Sequence, residues 1–562
     1  MPRVLVNKKK PEKSEGADSG KIDVLVLHDR PYDDREEFKE SIVTSIRGFL
    51  DRAPVREIRT KEENRNWDVG ADANISLVSV MLATGLESIG ASYKIWDMDN
   101  LVRCVGSKVI VDLLNRPRLL AISSSHYSNE RQFSELIEFV RKWDPDVPII
   151  VGGQLLRICP NIETIIPTVN YFVHGDGEHI FPKLVDLLLN HDGVGIDKLP
   201  GVVFRTPDGF DGNRNIELVD INAMEIPRWD LVLKKNFNEF APAHSPIMPM
   251  VFLEEIRGCM YKCSFCSYPL DNPFRLKSVD RIIREIRQYV DWGFTHFNFY
   301  SALFTSPPKH CRAVLKRIIA EDLGITFSCQ ARADNLYKNP DLLQLLREAG
   351  CIHMSIGIES GDSAQLRRMR KRLNIEKSIQ IMQQAQENGI SVVANIFLGF
   401  PGETQESMEN SYRFILACNL WGIYLSTFVV ENASEVFRKR ETFNLEVSED
   451  GRSWRHPTMD SEEAERETAR FFIRLARDPN LRTVLWVIQW RLTRFFPQIV
   501  KSGQDPMIWN TLRKMQEGIA NELEYNRFDI GAKEHASRQE VLWKDILNNQ
   551  RFFSDDEKLG VA

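Results

Sequence analysis

Residues 257–266 read Arg-Gly-Cys-Met-Tyr-Lys-Cys-Ser-Phe-Cys and follow residues 250–256, a largely apolar segment that predicts a β-strand. Three cysteines, Cys259, Cys263 and Cys266, therefore lie on one loop at the end of a strand. Soft thiolate ligands suit iron–sulfur chemistry, and three of them can bind three irons of a [4Fe–4S] cluster. The fourth iron would keep an open coordination position that can bind a substrate or a cofactor directly.

A zinc site is the alternative for the same cysteines. Structural zinc requires four ligands in paired spacings, and no Cys-x-x-Cys partner follows within about twenty residues. A disulfide framework is disfavoured, because nine cysteines in 562 residues are sparse and odd in number. The spacing favours the cluster over zinc.

Composition and charge narrow the class of protein. A net charge of −6 gives no reason to expect nucleic acid or an anionic membrane as a partner. Residues 1–20 are polar with no apolar core of a signal peptide, and they predict a disordered tail. No stretch reaches about 18 uninterrupted apolar residues, since residues 484–490 are bounded by Arg482 and Arg491, so no membrane span is expected. Free cysteines and an oxygen-sensitive cluster suit a reducing cytoplasm.

Strand and helix patterns alternate through residues 245–435. Helical stretches such as residues 278–291 separate six predicted strands, and this alternation predicts parallel pairing in a barrel or an open α/β sheet. In such a barrel, ligands bind at the carboxyl ends of the strands, where the cysteine loop leaves the first one. The six strands are expected at residues 250–256, 296–300, 326–330, 353–358, 391–398 and 424–430.

Polar residues follow later strands of this region. Arg332 can pair with a carboxylate, and Glu359 or Ser360 can hydrogen-bond to ribose hydroxyls or to an amine. Residues 399–404, Gly-Phe-Pro-Gly-Glu-Thr, fit the same rim, or they are only a strand-to-helix turn in which glycines allow a tight backbone and Glu403 favours the helix start.

Taken together, the cysteine motif with Phe265, the Gly-Ile-Glu-Ser-Gly run at 357–361 and the run at 399–404 resemble the radical S-adenosylmethionine (SAM) enzymes. The resemblance covers about residues 245–435. It implies that SAM binds the open iron and that one electron from the cluster cleaves it to methionine and a 5′-deoxyadenosyl radical. It maps the SAM-binding positions to Arg332, Glu359 and Ser360. The second strand ends as Tyr-Ser-Ala-Leu at 300–303, where the family often has a Gly-Gly-Glu-like run.

Residues 21–195 have an α/β pattern of their own. Predicted strands at 22–27, 93–96, 119–123, 147–152 and 171–174, with a helix at 75–88, predict a doubly wound Rossmann-like domain. Small residues at the strand ends would let a large flat or nucleotide-like ligand approach the backbone, although an ordinary Rossmann-like domain with glycine turns is also compatible. The candidate residues are Ser123, Ser124, Ser125, Gly152, Gly153, Gly175, Gly177 and Glu178.

This region resembles a cobalamin-binding domain, and its place before the barrel resembles the cobalamin-dependent (class B) radical SAM enzymes. The resemblance implies that the small residues bind cobalamin and that those at 123–125 and 152–153 line the channel for its dimethylbenzimidazole tail. The Asp-x-His-x-x-Gly motif of the best-known corrinoid modules is absent after the first strand, so no histidine is expected on cobalt; His126 is a weak substitute. Residues 33–74 read as an insertion that can reach over the corrinoid.

The remaining segments complete the predicted domain order. Residues 196–244 are rich in Pro, Gly and Asn and predict a linker. Residues 436–562 predict a mainly helical C-terminal domain, with a helix start at Asp460. Its aromatic residues, including Phe471 and Phe472, form either core or the wall of a substrate pocket.

The resemblance implies a methyltransferase that uses SAM as radical source and methyl donor. It would methylate an unreactive carbon or phosphorus centre of a small-molecule or peptide substrate, in secondary-metabolite (antibiotic) biosynthesis, with an electron donor such as flavodoxin or ferredoxin. One alternative is a cobalamin-dependent cyclisation, rearrangement or oxidation without methyl transfer. Another is a cluster- and corrinoid-binding sensor without turnover.

Overall fold

The computed structural model describes residues 22–28, 76–97, 117–125, 130–233 except 160, 251–268, 273–431, 434–448 and 453–486 except 482, together with positions 513, 516–518, 520, 521 and 524. The chain divides into two compact units, Met1–Ser245 and Pro246–Ala562. The predicted tail at 1–20, the predicted insertion at 33–74 and His126 lie outside the described residues.

The first unit alternates strands and helices. Two short 3₁₀ turns, Ile196–Lys198 and Trp229–Leu233, accompany them. The helices and strands are β1 (Val24–His28), α1 (Leu77–Ser88), β2 (Tyr93–Asp97), β3 (Leu119–Ser123), α2 (Glu130–Trp143), β4 (Ile149–Gly152), α3 (Leu155–Ile158), α4 (Ile162–Ile165), β5 (Tyr171–Val173), α5 (Gly177–Asn190), β6 (Val202–Thr206) and β7 (Gly209–Gly212).

One sheet organises this unit, in the order β2-β1-β3-β4-β5-β6-β7. The first five strands are parallel, as predicted, and the strand order reverses between β1 and β3. The β6–β7 hairpin extends the sheet antiparallel to β5. These two strands lie within 196–244, so the first part of the expected linker belongs to the sheet. Its Pro-Asp turn at 207–208 gave the loop-like composition, while Val202, Val203 and Phe204 are buried.

Apolar residues of the strands fill the core on both sides of this sheet. Phe133 and Ile137 of α2 pack with strand residues such as Leu120 and Val151. Helices α1 and α5 approach closely, because a Cβ at Gly85 would lie 2.2 Å from Cγ of Pro182. Glycine is therefore required at that crossing.

The second unit has a longer parallel sheet and more helices. Its elements are β8 (Val251–Leu253), β9 (Ile256–Arg257), β10 (Arg275–Leu276), α6 (Val279–Asp291), β11 (His296–Phe299), α7 (Pro308–Glu321), β12 (Thr326–Ala331), α8 (Ala333–Lys338), α9 (Asp341–Glu348), β13 (Cys351–Glu359), α10 (Ser363–Arg368), α11 (Ile375–Glu387), β14 (Ser391–Leu398), α12 (Gln405–Cys418), β15 (Gly422–Thr427), α13 (Glu435–Arg438), β16 (Glu446–Val447), β17 (Trp454–His456), β18 (Met459–Asp460), α14 (Ser461–Arg477) and β19 (Val484–Trp486).

The main sheet of this unit is parallel, in the order β8-β11-β12-β13-β14-β15-β19. The six predicted strands are its first six members, and the strand–helix alternation gives the predicted partial barrel. A seventh parallel strand, β19, was not predicted. Two smaller antiparallel sheets, β9–β10 and β16–β17–β18, accompany it.

The described C-terminal part combines strands with a helix. Helix α14 begins after Asp460, whose side chain accepts a hydrogen bond from the Glu463 amide, as the sequence predicted. Phe471 and Phe472 are buried, which favours the core over a pocket wall. Within the described part of the chain, no helix has both the length and the apolar character needed to cross a membrane.

Candidate active site

The cysteine loop leaves the carboxyl end of the first barrel strand, as predicted. β9 pairs with β10, and Gly258 then turns the chain with φ of +83°, in the left-handed region that favours glycine. The thiols of Cys259, Cys263 and Cys266 are free and partly exposed. The motif therefore presents three unpaired sulfur ligands at the end of the barrel where ligands bind.

Hydrogen bonds from two other loops fix the cysteine loop. Ser264 donates from its amide to the Met369 carbonyl at 3.0 Å and from its hydroxyl to the Arg368 carbonyl at 3.0 Å. The Ser267 amide and hydroxyl both donate to Oε2 of Glu431, at 2.7 and 2.6 Å. Segments after β13 and β15 thus hold the ligand loop in place.

Burial opposes ionisation of the thiols, and nearby positive charges offset part of this effect. Burial raises the pKa of Cys259 and raises the pKa of Cys266 to about 12, whereas the positive charges of Arg332 and Lys371 act in the opposite direction on Cys259. Nη1 of Arg332 lies 3.9 Å from Sγ of Cys263. Bound metal would add the positive charge that buried thiolates need.

Within the described residues, no three His, Cys, Asp or Glu side chains converge on a single ion position. A [4Fe–4S] cluster does not require such convergence, because each thiolate binds a different iron. Three thiols and two nearby cations are therefore compatible with a cluster. They are less compatible with one tetrahedral zinc ion.

Arg332 follows the third barrel strand, as predicted, and it is buried. Its Nε donates to Oδ1 of Asp334 at 2.6 Å, and its Nη2 donates to the Lys371 carbonyl at 2.6 Å. The guanidinium stacks on the Tyr261 ring at 4.2 Å, and Tyr261 donates its hydroxyl to Oδ1 of Asn335 at 2.8 Å. Arg332 therefore connects the cysteine loop to β12, with several of its donors already used by the protein.

Glu359 ends the fourth barrel strand with a backbone that few non-glycine residues adopt. Its φ is +73°, and the pairing of β13 with β14 shifts register between Gly357 and Glu359. The carboxylate accepts a hydrogen bond from Nζ of Lys371, and both side chains are buried. A Cβ at Gly357 would lie 2.4 Å from Oε1 of Glu359, so glycine leaves room for this pair.

Ser360 lies apart from these residues. Its hydroxyl lies 3.3 Å from the Ser411 hydroxyl of α12 and accepts a hydrogen bond from the Asp362 amide at 3.1 Å. The side chain is 1% exposed. The structure thus brings Arg332 and Glu359 to the cysteine loop through Lys371, whereas Ser360 connects β13 to a helix.

The run at 399–404 forms a strand-to-helix turn. Glu403 is buried, it accepts hydrogen bonds from Ser407 and, at 3.4 Å, from the Gly399 amide, and burial raises its pKa to about 7. Thr404 and Ser407 form a capping box at the start of α12. These contacts support the turn interpretation of this run.

A cavity of about 450 Å³ lies inside the barrel beside Glu359. Barrel interiors are usually filled by branched apolar side chains, so a polar lining leaves hydrogen-bonding groups for a ligand. The polar residues of its walls come from five consecutive strands, β11 to β15. The uncharged ones are Asn298, Ser328, Gln330, His353, Ser355, Asn395, Tyr424, Ser426 and Thr427.

This lining carries little charge. Burial lowers the pKa of His353 to about 3, so its imidazole is neutral. Nδ2 of Asn395 donates to the Ser355 hydroxyl at 3.2 Å. The two carboxylates of the lining, Glu359 and Glu431, are paired with Lys371 and with Ser267. The cavity therefore suits a ligand with neutral hydrogen-bonding groups.

Sequence reasoning missed Lys371, Tyr261 and this polar lining. The lining has a sequence signal, because polar residues recur at every second position of strands that are otherwise apolar, as in Ser328 and Gln330 of β12. Lys371 has no comparable signal, since only the turn after α10 brings it to Glu359.

In the first unit, the predicted small residues divide into two groups. Ser124 donates from its amide and its hydroxyl to the Gly152 carbonyl, at 2.7 and 2.8 Å. Gly153 has φ of +110°, and a Cβ there would lie 2.7 Å from the Ser125 amide nitrogen. The hydroxyls of Ser123 and Ser125 lie 3.3 Å apart. These contacts join the turns after β3 and β4.

The turn after β5 behaves similarly. Gly175 has φ of +82°, and a Cβ there would lie 2.6 Å from Cγ2 of Ile216. By contrast, a Cβ at Gly152 or Gly177 would meet no atom closer than 3.6 Å. Glu178 lies in the first turn of α5. Gly153 and Gly175 are therefore required by close packing, whereas a Cβ at Gly152 or Gly177 would make only ordinary van der Waals contact with Val173.

Comparison with known proteins identifies the second unit. Residues 254–415 match the family model of the Radical SAM superfamily, so this stretch is a radical SAM domain. The chain is 24% identical over 340 residues to the anaerobic magnesium-protoporphyrin IX monomethyl ester cyclase of Rubrivivax gelatinosus, covering 58% of this chain and 59% of the relative. It is 26% identical over 292 residues to the hopanoid C-3 methylase of Methylococcus capsulatus, covering 50% and 53%. The chain thus spans between half and three fifths of these relatives.

The fold of both units is shared with a solved structure. TsrM from Kitasatospora setae, a radical S-adenosylmethionine methyltransferase solved with cobalamin and a [4Fe–4S] cluster, superimposes with a TM-score of 0.60 at 13% identity, covering 90% of this chain and 99% of TsrM. This likeness confirms the predicted fold, in which a Rossmann-like domain precedes a radical SAM barrel. The sequence resemblance to cobalamin-dependent radical SAM enzymes is confirmed at that level.

Proposed function

We propose that this protein is a cobalamin-dependent radical SAM methyltransferase. The observation that carries the proposal is the placement of three free thiols on the loop after β9, beside the Arg332–Lys371–Glu359 group and a polar cavity in the same barrel. The TsrM fold, with both cofactors bound in that structure, supports the assignment of both units.

Different residues of the chain are proposed to bind the cluster and SAM. Cys259, Cys263 and Cys266 bind the cluster. Glu359 and Arg332 bind SAM, and Arg332 also positions the loop that carries the thiols. Ser360 is a weaker candidate for SAM binding, because its hydroxyl is engaged with α12. When bound, these cofactors supply the electron, the radical and the methyl group, and the protein supplies orientation.

The first unit is proposed to bind cobalamin at the carboxyl edge of its sheet. Ligands of doubly wound sheets bind where the strand order reverses, here between β1 and β3, next to β4. Gly152 and Gly177 can bring a ligand close to the backbone without steric strain, and the packed turns at Ser123–Ser125, Gly153 and Gly175 give this edge a fixed shape. Glu178 is retained as a candidate contact.

The cavity supports a small-molecule or peptide substrate with neutral hydrogen-bonding groups at its reacting end. The reacting atom is proposed to be an unreactive carbon or phosphorus centre. We propose that the protein acts in secondary-metabolite (antibiotic) biosynthesis, because of its sequence resemblance. We also propose a cytoplasmic location, because its described thiols are free. The similarity to the cyclase of Rubrivivax gelatinosus supports a second candidate function, which is cyclisation or oxidation without methyl transfer.

Product analysis tests the proposal. The anaerobically reconstituted protein is incubated with cobalamin, a reductant, methyl-labelled SAM and candidate metabolites, with Cys263→Ala as the inactive control. A product heavier by one labelled methylene unit supports methyl transfer. Deoxyadenosine formation with an unmethylated product supports the second candidate, whereas cofactor binding without any product or SAM turnover supports a sensor and contradicts both.

A further inference from the structure

Two basic runs stand out in a chain whose net charge is −6. Residues 367–372 read Arg-Arg-Met-Arg-Lys-Arg, and residues 438–440 read Arg-Lys-Arg. Neither run is explained by the barrel fold, because most of these side chains are exposed. We call residues 367–372 and 434–441 together the basic surface; they contain eight basic and two acidic residues.

The two runs are joined to each other and to the cysteine loop. Nη1 of Arg370 lies 2.6 Å from Oε2 of Glu435. Ser264, which lies between two of the cysteines, donates to the Arg368 and Met369 carbonyls and accepts from the Val436 amide at 2.8 Å. The basic surface therefore directly adjoins the loop that carries the thiols.

Much of its charge is unneutralised. Glu435 is shared by Arg370 and Lys439, the latter at 2.9 Å. In the part of the chain that the structure describes, no carboxylate forms a salt bridge with Arg367, Arg372 or Arg438, and all three are exposed. Concentrated charge of one sign raises the association rate of oppositely charged partners and discourages compact packing.

The surface also contains a cleft of about 450 Å³. Arg367 and Arg372 both border it, so an acidic side chain of a partner can insert between them and form bidentate hydrogen bonds. The polar and charged residues of the cleft are Tyr337, Ser363, Arg367, Arg372, Asn374 and Glu376.

We propose that the basic surface is the docking site of an acidic one-electron carrier protein. The inference rests on the proposed function, because it requires a cluster on the cysteine loop. On docking, the carrier is oxidised by one electron and the cluster is reduced by one electron. An acidic protein is favoured over a nucleic acid, because the surface adjoins the loop at which an electron must enter and the remainder of the chain is negatively charged.

The test compares a protein reductant with a chemical one. The reconstituted holoenzyme is reduced either by reduced flavodoxin or by dithionite, and the bleaching of the cluster and the formation of deoxyadenosine are followed. The test variants are Arg367→Glu/Arg372→Glu and Arg438→Glu/Arg440→Glu. The control is Lys316→Glu/Arg347→Glu, which makes the same change in charge at exposed positions of α7 and α9.

We expect both test variants to be reduced by flavodoxin about tenfold or more slowly at low salt and to lose most of the salt dependence of the parent rate. Their reduction by dithionite, their iron content and their SAM cleavage with dithionite should equal those of the parent, and the control should resemble the parent throughout.

Three outcomes overturn the proposal. Parental rates with flavodoxin in both test variants show that docking occurs elsewhere. Loss of dithionite-driven SAM cleavage shows that these arginines serve the site itself. Binding of a labelled RNA oligonucleotide that both test variants abolish, without an effect on flavodoxin, assigns the surface to nucleic acid. Absence of a cluster in the parent would instead refute the proposed function.

Discussion

Replacement of Glu359 by Gln tests whether this carboxylate binds SAM or only balances the charge of Lys371. The two side chains are paired and buried, at 9% and 6% exposure, and Glu359 borders the barrel cavity. Gln keeps the shape of the side chain and can still accept a hydrogen bond from Lys371, but it removes the negative charge.

Two costs are expected from this change. Loss of a charge-assisted hydrogen bond to a ligand costs about 1.5–3 kcal/mol, which raises the dissociation constant of SAM roughly ten- to a hundredfold. Removal of one partner of a buried ion pair costs about 3–5 kcal/mol of stability. Because the glutamine side chain would keep one hydrogen bond to Lys371, we expect the loss of stability to fall to about 2–3 kcal/mol.

The double variant Glu359→Gln/Lys371→Met separates the two costs, because it removes both charges. SAM affinity is measured by equilibrium dialysis on reconstituted protein of equal iron content, and stability by urea unfolding. The double variant should recover stability and still bind SAM weakly. Parental SAM affinity in the double variant, or a change below about twofold in the single variant, would refute the role of Glu359 in SAM binding.

Three further predictions concern other parts of the molecule. Cys263→Ala should abolish iron binding and deoxyadenosine formation, whereas Cys418→Ala, a buried thiol on α12, should leave both at the parental level. Glu255 is buried, which raises its pKa from 4.5 to about 8, so the folded state binds its proton more tightly than the unfolded state does. The free energy of unfolding in urea should therefore fall by up to about 5 kcal/mol between pH 4.5 and 8, and Glu255→Gln should reduce this pH dependence. The same pH dependence in the parent and the variant would contradict the burial argument. Gly152→Leu should weaken cobalamin binding, measured by the visible absorption of retained corrinoid, with little loss of stability, whereas Gly153→Ala should destabilise the first unit; a Gly152 variant that retains full corrinoid would place the ligand elsewhere.

The sequence predicted the long parallel strands because their apolar periodicity is local. The observed β14 and β3 have the predicted bounds, 391–398 and 119–123. Short strands have no such pattern: β9 and β10 contain two residues each and exist only because they pair with each other. The β19 strand was not predicted because it lies in an aromatic segment. The β6 strand was not predicted because its segment contains many turn-forming residues.

The site also combines features that are local in the sequence with features that only the fold creates. Cysteine spacing identified the ligand loop, since the three thiols lie within eight residues of sequence. The surroundings of Glu359 depend on the fold: Lys371 reaches it from a turn, and Arg332 reaches that turn through the Lys371 carbonyl at 2.6 Å. Ser360 was assigned to SAM binding by its position at the end of a predicted strand, and only the fold shows that its hydroxyl lies 3.3 Å from the Ser411 hydroxyl of α12.

One short segment links the proposed electron entry to the proposed SAM site. In residues 367–372, the Lys371 side chain is buried and contacts Glu359 at the barrel cavity, while Arg367 and Arg372 are exposed on the basic surface. The backbone between them accepts the hydrogen bonds of Ser264 on the cysteine loop. This segment therefore contacts the cysteine loop through its backbone and Glu359 through Lys371, so the proposed docking surface and the proposed SAM site depend on the same short stretch of chain.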